Sequence, residues 1–208
     1  MNKKWRWIWN PFEKIAGWKA FGIGIVILCL TTVLGYFSNT VFYGISIKLV
    51  QSITWGKVFS LQALGLAITV AVMYLIALLS AKRVRFQDIL GTVTLAKYPL
   101  ILAVLMFWVW GGRIMSITDE LLMSLKEELL TSDAYKIVSE FSFYDYFVLT
   151  MFSLLSIVIL VWTIALLFNA FKVSTNLKGA KSVLLFIAVI LIAEIILNIV
   201  LSFLKFSF

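Results

Sequence analysis

The stretch VLLFIAVILIAEIILNIVLSFL, residues 183–204, decides the fold class of this chain. It contains one charged side chain, Glu194, and neither proline nor glycine. A transmembrane α-helix needs about 20 consecutive, mostly apolar residues, because the hydrocarbon core of a bilayer is about 30 Å thick. The stretch therefore predicts a helix that crosses a membrane.

The composition of the whole chain agrees with that prediction. Of the 208 residues, 62% are hydrophobic and 13% are charged, and the mean hydropathy is +1.05. Soluble domains contain about 25% charged residues, so this chain has too few polar side chains to coat a soluble core of its size. We therefore expect an all-α, polytopic membrane bundle that forms a single domain over residues 1–208.

Four further apolar segments extend the prediction to five transmembrane helices. The third is interrupted, because its strongest apolar part, residues 99–110, covers less than about 20 Å at 1.5 Å per residue. That span must continue past Gly111 and Gly112 or begin upstream of Pro99 with a kink, and a re-entrant segment is the alternative. The five predicted spans cover about residues 20–37, 61–81, 96–116, 146–171 and 183–204.

The distribution of Lys and Arg predicts the orientation. If the N-terminus is cytoplasmic, the inner segments carry twelve Lys and Arg residues and the outer segments carry six. Cytoplasmic loops of membrane proteins are rich in these residues. The net charge of +8 then reflects topology, and we expect no nucleic-acid partner. The predicted location is the bacterial cytoplasmic membrane, with the N-terminus inside and the C-terminus outside.

The segment RVRFQDILGTV, residues 83–93, predicts a short interfacial helix before span three. Its apolar residues recur at i, i+3, i+4 and i+7, which is one face of a helix. A basic patch of Lys82, Arg83 and Arg85 precedes that face. We expect this amphipathic helix to lie on the inner membrane surface, near anionic head groups.

The long outer segment, about residues 117–145, predicts a helical cap over the bundle. Its leucines fall on one helical face, with acidic residues opposite. A docking surface for an extracytoplasmic partner is the alternative interpretation. Ser142 and Asp145 have the spacing of a capping box that opens span four.

The N-terminal segment MNKKWRWIWNPFEKIAGWK, residues 1–19, is rich in tryptophan. Indole rings favour the head-group region of a bilayer, and the interleaved basic residues favour anionic lipid. Asn10, Pro11 and Glu13 have the pattern of a capped helix start. We therefore predict an inner-face anchor, formed by Trp5, Trp7, Trp9 and Trp18.

Glu194 is the only acidic residue within a predicted span, and it lies close to the centre of that span. Asn198 and Ser202 follow at intervals of four residues. This spacing predicts one polar stripe along one side of the helix. A charge at the bilayer centre costs at least about 2.5 kcal/mol, so such residues face the bundle interior, pair, or serve a pathway. The stripe is either an ion- or proton-coupled site or a hydrogen-bonded packing contact. We expect no second charged residue at the membrane centre, which favours the packing role.

Small residues at helical spacing predict close helix packing. We assign that role to Gly24, Gly35 and Gly65. The sequence contains no His and no P-loop, HExxH or CxxC motif, so we expect no catalytic residues, no metal and no cofactor.

Three stretches and the five-span layout carry a resemblance to a known family. The stretches are NPFEKIAGWKAFGIG (10–24), RVRFQDILGTVTLAKYPLIL (83–102) and FNAFKVSTNLKGAKSVLLFI (168–187). With this layout, the chain resembles the Yip (Ypt/Rab-interacting protein) membrane-domain family, especially its bacterial members, over about residues 10–203. The DLYGP-type motif of eukaryotic members is absent, so their roles in vesicle traffic and Rab-GTPase binding are not expected here.

The resemblance implies a five-span fold and a non-enzymatic role in organising membrane or recruiting partners. The expected partners are the lipid bilayer and either a protein partner or further copies of the chain, and no small-molecule substrate can be assigned. One alternative function is a small ion- or proton-coupled transporter or channel that uses Glu194. Another is a membrane subunit that docks an extracytoplasmic partner through the acidic outer loop.

Overall fold

The computed structural model describes residues 9–50, 53–81, 83–128 and 141–204. Within these ranges, five helical segments are long and apolar enough to cross a membrane, which confirms the predicted all-α bundle. We label the helices α1 to α6, and α3 and α4 together form the third span. Their bounds are α1 Gly17–Phe37, α2 Trp55–Ser80, α3 Phe86–Ala96, α4 Leu100–Glu128, α5 Phe143–Thr175 and α6 Ala180–Phe203.

The third span is longer than predicted, and it is broken. α3 ends at Ala96, α4 begins at Leu100, and Pro99 lies between them. Proline removes a backbone donor and clashes with the preceding turn, which explains the break. α4 then continues through Gly111 and Gly112 to Glu128, so the first part of the predicted outer cap is an extension of this helix.

The amphipathic helix before span three is present as α3, but its predicted surface location is wrong. Ile89, Val93 and Ala96 are fully buried, and α3 packs chiefly against α1. Gly24 of α1 allows this contact, because a Cβ there would lie 2.6 Å from the backbone nitrogen of Leu95. α3 is therefore the first half of a membrane span rather than a helix on the bilayer surface.

A β-hairpin between α1 and α2 was not predicted. Its strands are β1 Thr40–Tyr43 and β2 Ser46–Leu49, paired antiparallel with Tyr43 opposite Ser46. The turn therefore consists of Gly44 and Ile45. All four β1 residues are buried.

The hairpin turns back into the bundle from the end where α1 finishes and α2 begins. Its tip lies against Gly65, ten residues into α2, which corresponds to a depth of about 15 Å. Non-helical backbone is tolerated at membrane depth only where protein or a water-filled cavity surrounds it. Val41 and Tyr43 meet this condition, because they pack in one apolar cluster with residues of α2 and α6.

The N-terminal segment is shorter as a helix than predicted. Pro11–Glu13 forms a single 3₁₀ turn, and Asn10 does not cap it through its side chain. The Asn10 Nδ2 group instead donates to the Glu13 carboxylate at 3.1 Å. Phe12 is buried in the main apolar core, so this turn attaches the N-terminal segment to the bundle.

Candidate functional site: a polar centre inside the bundle

Glu194 is bonded to the tip of the hairpin. The backbone N–H of Ile45 donates to Oε1 of Glu194 at 2.7 Å, across 149 residues of sequence. Glu194 lies about 21 Å from the start of α6, a helix about 36 Å long, and so near the middle of the span. The carboxylate therefore satisfies a backbone donor where water is absent.

Two glycines bring the tip close to the carboxylate. Gly44 adopts a positive φ of 57°, and a Cβ at this position would collide with the Glu194 carboxylate. On the other side of the tip, a Cβ at Gly65 would lie 2.5 Å from the backbone nitrogen of Gly44. The hairpin tip is thus held between α2 and α6, by a backbone-to-backbone contact at Gly65 and by the Glu194 side chain at Gly44.

Lys97 is the second charged group of this centre. It lies at the break between α3 and α4, about 16 Å from the start of α3, and its residue surface is 2% exposed. The charge of Glu194 acts on Lys97 through an attractive electrostatic interaction. The expectation of no second charged residue at the membrane centre is therefore wrong, and Lys97 does not belong to the inner loop.

The predicted polar stripe does not form one interior site. Asn198 and Ser202 are exposed on the surface of α6, whereas the Glu194 carboxylate is turned towards the hairpin. The Asn198 Nδ2 group donates to the backbone oxygen of Glu194 at 2.8 Å. Because that bond lies within one helix, Asn198 contributes nothing direct to the contact between α6 and the hairpin.

The other predicted site residues lie away from this centre. Gly35 packs against the start of the hairpin, where a Cβ would lie 2.8 Å from the Thr40 oxygen. Arg83 and Arg85 are exposed beside α3. Lys82 lies outside the described residues.

Of the predicted tryptophan anchor, Trp9 and Trp18 are described, and Trp5 and Trp7 lie outside the described residues. Both described rings are partly exposed at the end of the bundle where α1 begins. The backbone oxygen of Trp9 accepts from Asn169 Nδ2 at 2.8 Å, and its ring lies 6.2 Å from that of Trp162. The segment is therefore attached to α5 at this point.

The chemistry of the centre is that of a half-buried carboxylate bonded to a backbone turn, with the buried Lys97 at a longer distance. Within the described residues, no group of three or more His, Cys, Asp or Glu side chains is placed to hold a metal ion. The same residues contain one ion pair within 4 Å, Arg113–Asp145, so Glu194 and Lys97 interact over a longer distance. The arrangement can fix the hairpin, and it can exchange a proton if water reaches it.

Sequence reasoning missed Ile45 and Lys97. The hairpin carries a local signal, because TVFY and SIKL are short β-prone runs separated by two residues, the first a glycine. The sequence signal for Lys97 is weaker. This residue follows TVTLA, an apolar run that could extend the span upstream of Pro99. Nothing in the sequence indicated that the Ile45 backbone bonds to Glu194 or that Lys97 is buried.

The chain matches no protein-family model, no curated protein and no solved structure. The class that the fold defines is that of a multi-pass helical membrane protein.

Proposed function

We propose that this protein is a non-enzymatic integral membrane protein of Yip-like type, which organises membrane or recruits partners. We place it in the bacterial cytoplasmic membrane with a cytoplasmic N-terminus. The distribution of Lys and Arg supports that orientation even with Lys97 removed from the inner segments, which then carry eleven of these residues against six outside.

One observation carries the proposal: the Glu194 carboxylate is already bonded inside the protein. Its Oε1 accepts from the Ile45 N–H, and Gly44 packs onto the same carboxylate. A carboxylate that closes a re-entrant hairpin serves the stability of the bundle. This use of the membrane-centre charge favours a scaffold over a pathway.

The scaffold proposal is tested by in-cell photo-crosslinking followed by purification. We expect defined crosslinked species, either copies of the chain or a recurrent partner, and an apparent stability that depends on lipid composition. A chain that purifies alone, is monodisperse and is indifferent to lipid composition would contradict the proposal.

A second candidate is a small ion- or proton-coupled transporter, and the Lys97–Glu194 pair favours it. Lys97 lies at a helix break and Glu194 lies near the middle of α6, and many transporters bind ions where charged residues and helix breaks occur near the bilayer centre. Liposomes containing wild type or Glu194→Gln distinguish the two candidates by proton and cation flux. Flux in wild type that Glu194→Gln abolishes supports transport, whereas no flux in either variant supports the scaffold.

Docking of an extracytoplasmic partner by the acidic outer loop stays a prediction. Residues 129–140 of that loop lie outside the described residues. Deletion within residues 118–142 should then release the partner and leave the bundle folded.

A further inference from the structure

A lateral groove opens between α1 and α2, with a volume of about 450 Å³. On the α2 side its wall is formed by Ala63, Ala67 and Ala71, which recur every four residues and therefore share one helical face. Phe86 and Leu90 of α3 line it as well. The groove exists because α1 packs chiefly against α3 and α2 packs chiefly against α6, so few side chains fill the space between α1 and α2.

The groove is apolar except for a few groups, and one of these lacks a partner. Gln62 lines the groove, its residue surface is 6% exposed, and its Nε2 group has no hydrogen-bond partner among the described residues. The hydroxyl of Thr32, also in the lining, is satisfied by the Leu28 carbonyl at 2.7 Å. A buried donor without an acceptor destabilises a protein, so a molecule in the groove that offers an acceptor to the Gln62 amide would be bound there.

The position of Gln62 indicates the kind of acceptor. The 26 residues of α2 span about 39 Å, which exceeds a hydrocarbon core of about 30 Å by a few ångströms at each end. Gln62 is seven residues from the start of α2 and therefore lies about 6 Å below the hydrocarbon boundary. The acyl ester groups of phospholipids lie at that boundary, within reach of a glutamine side chain. The apolar part of the groove continues inward from Gln62 for about 14 Å, to Ala71.

We propose that this groove binds one acyl chain of a membrane phospholipid, whose ester carbonyl accepts a hydrogen bond from Gln62 Nε2. The chain lies along the three alanines and ends near Phe86 and Leu90. The volume falls within the range of about 300–1,000 Å³ that is usual for small-ligand sites. A free fatty acid shares the chemistry of an acyl chain with a terminal carbonyl, so the experiment separates the two sources.

The experiment uses the detergent-purified full chain and three photoactivatable probes with a diazirine in the acyl chain. The probes are a diester phosphatidylglycerol, its diether analogue without the ester carbonyl, and the free fatty acid. Each is tested on wild type, Gln62→Leu and Ala67→Trp. Leu79→Trp is the matched control, because Leu79 is 87% exposed on the same helix and does not line the groove.

We expect the diester to label residues of the groove in wild type and in Leu79→Trp, and Ala67→Trp to abolish that labelling. Gln62→Leu and the diether probe should each reduce labelling about five- to tenfold, since each removes one side of the same hydrogen bond. Gln62→Leu should unfold at or above the wild-type temperature, which separates lost binding from lost folding. Equal labelling in all variants would mean annular lipid only and would overturn the proposal. Stronger labelling by the fatty acid than by the diester would overturn the phospholipid assignment.

Discussion

Two carboxylates of this protein, Asp145 and Glu194, each accept a hydrogen bond from a backbone N–H, but in different parts of the bundle. Asp145, at the start of α5, accepts from Arg113 Nε at 2.6 Å and from the Ser142 hydroxyl at 2.7 Å. Glu194, near the middle of α6, accepts from the Ile45 N–H at 2.7 Å. Both satisfy backbone donors, since Asp145 Oδ2 also accepts from the Ser142 N–H at 3.0 Å.

The difference between them lies in the distance along the chain and in the surroundings. The helix cap is built from residues three apart and a cation whose side chain is 41% exposed. The polar centre joins residues 149 apart and includes Lys97, which is almost fully buried. Loss of one partner costs a charge near water little free energy, because water replaces the partner. The same loss costs more in the middle of a bilayer, where water is scarce. The two sites should therefore respond very differently to mutation.

The largest expected effect is that of Glu194→Leu. It removes the acceptor of the Ile45 N–H and the opposite charge that acts on the buried Lys97, and we expect a loss of about 3 kcal/mol. The free energy of unfolding in mixed micelles measures this cost. Glu194→Gln keeps an acceptor oxygen but not the charge, so its free energy of unfolding should fall between those of Glu194→Leu and wild type.

Asn198→Leu, one turn away on the exposed surface of α6, is the matched control and should reduce the free energy of unfolding much less. A Glu194→Leu variant as stable as wild type would contradict the role assigned to the polar centre.

Adding Lys97→Met to Glu194→Leu isolates the contribution of the two charges to the free energy of unfolding. Replacing both members of a buried ion pair by apolar residues is often neutral, so the double variant should recover part of the stability lost by Glu194→Leu alone. The double-mutant cycle from unfolding free energies gives the coupling. Strictly additive losses would show that Lys97 and Glu194 do not act on each other.

Gly65→Ala is expected to have the next largest effect on the free energy of unfolding. The added Cβ would lie 2.5 Å from the Gly44 backbone nitrogen, so the hairpin would have to move. We expect the free energy of unfolding to fall by about 1–3 kcal/mol. Gly22→Ala in α1 is the control, because a Cβ there meets nothing within 4 Å. It should leave the unfolding temperature unchanged or raise it. Equal behaviour of the two variants would argue against a packed hairpin tip.

A smaller effect is expected for Asp145→Asn. The cap loses its charged acceptor, but the site lies at the end of α5, where water can replace part of the lost hydrogen bonding. We expect a fall in unfolding temperature of about a few degrees, smaller than that of Glu194→Leu. Glu120→Gln, an exposed neighbour, controls for the change in net charge. A loss as large as that of Glu194→Leu would remove the distinction between the two sites.

The smallest effect on the bundle is expected for the triple change of Trp5, Trp7 and Trp9 to Ala. Anchoring of the N-terminal segment should weaken, seen as faster proteolysis in liposomes. The unfolding temperature of the bundle should change little, because the Trp9–Asn169 hydrogen bond uses the backbone oxygen and survives the substitution. A collapsed bundle would show that these rings belong to the core.

The sequence predicts those parts of the structure that are local. The apolar runs predicted five membrane-length helices, and the Ser142–Asp145 spacing predicted the capping box that the structure contains. Glu194 was identified as a membrane-centre charge because a single acidic residue in an apolar run is visible without any knowledge of its neighbours.

What the sequence did not predict depends on contacts between distant segments. Spacing alone placed Asn198 and Ser202 beside Glu194 in one interior stripe, but the side of α6 that is buried is set by the hairpin and α2. Lys97 was counted with the inner loop because the strongest apolar part of the third span begins only at Pro99. It is buried at the break between α3 and α4, and no pattern within residues 83–102 encodes that burial.

The Glu194 carboxylate holds the hairpin tip inside the bundle, and hydrogen exchange at the backbone amide of Ile45 reports directly on this contact. Residue-resolved hydrogen exchange should be measured in lipid nanodiscs for wild type and Glu194→Leu. We predict a strongly protected Ile45 amide in wild type and exchange about tenfold or more faster in Glu194→Leu, with amides in the middle of α5 unchanged. An Ile45 amide that exchanges rapidly in wild type, or at the same rate in both proteins, would contradict the claim.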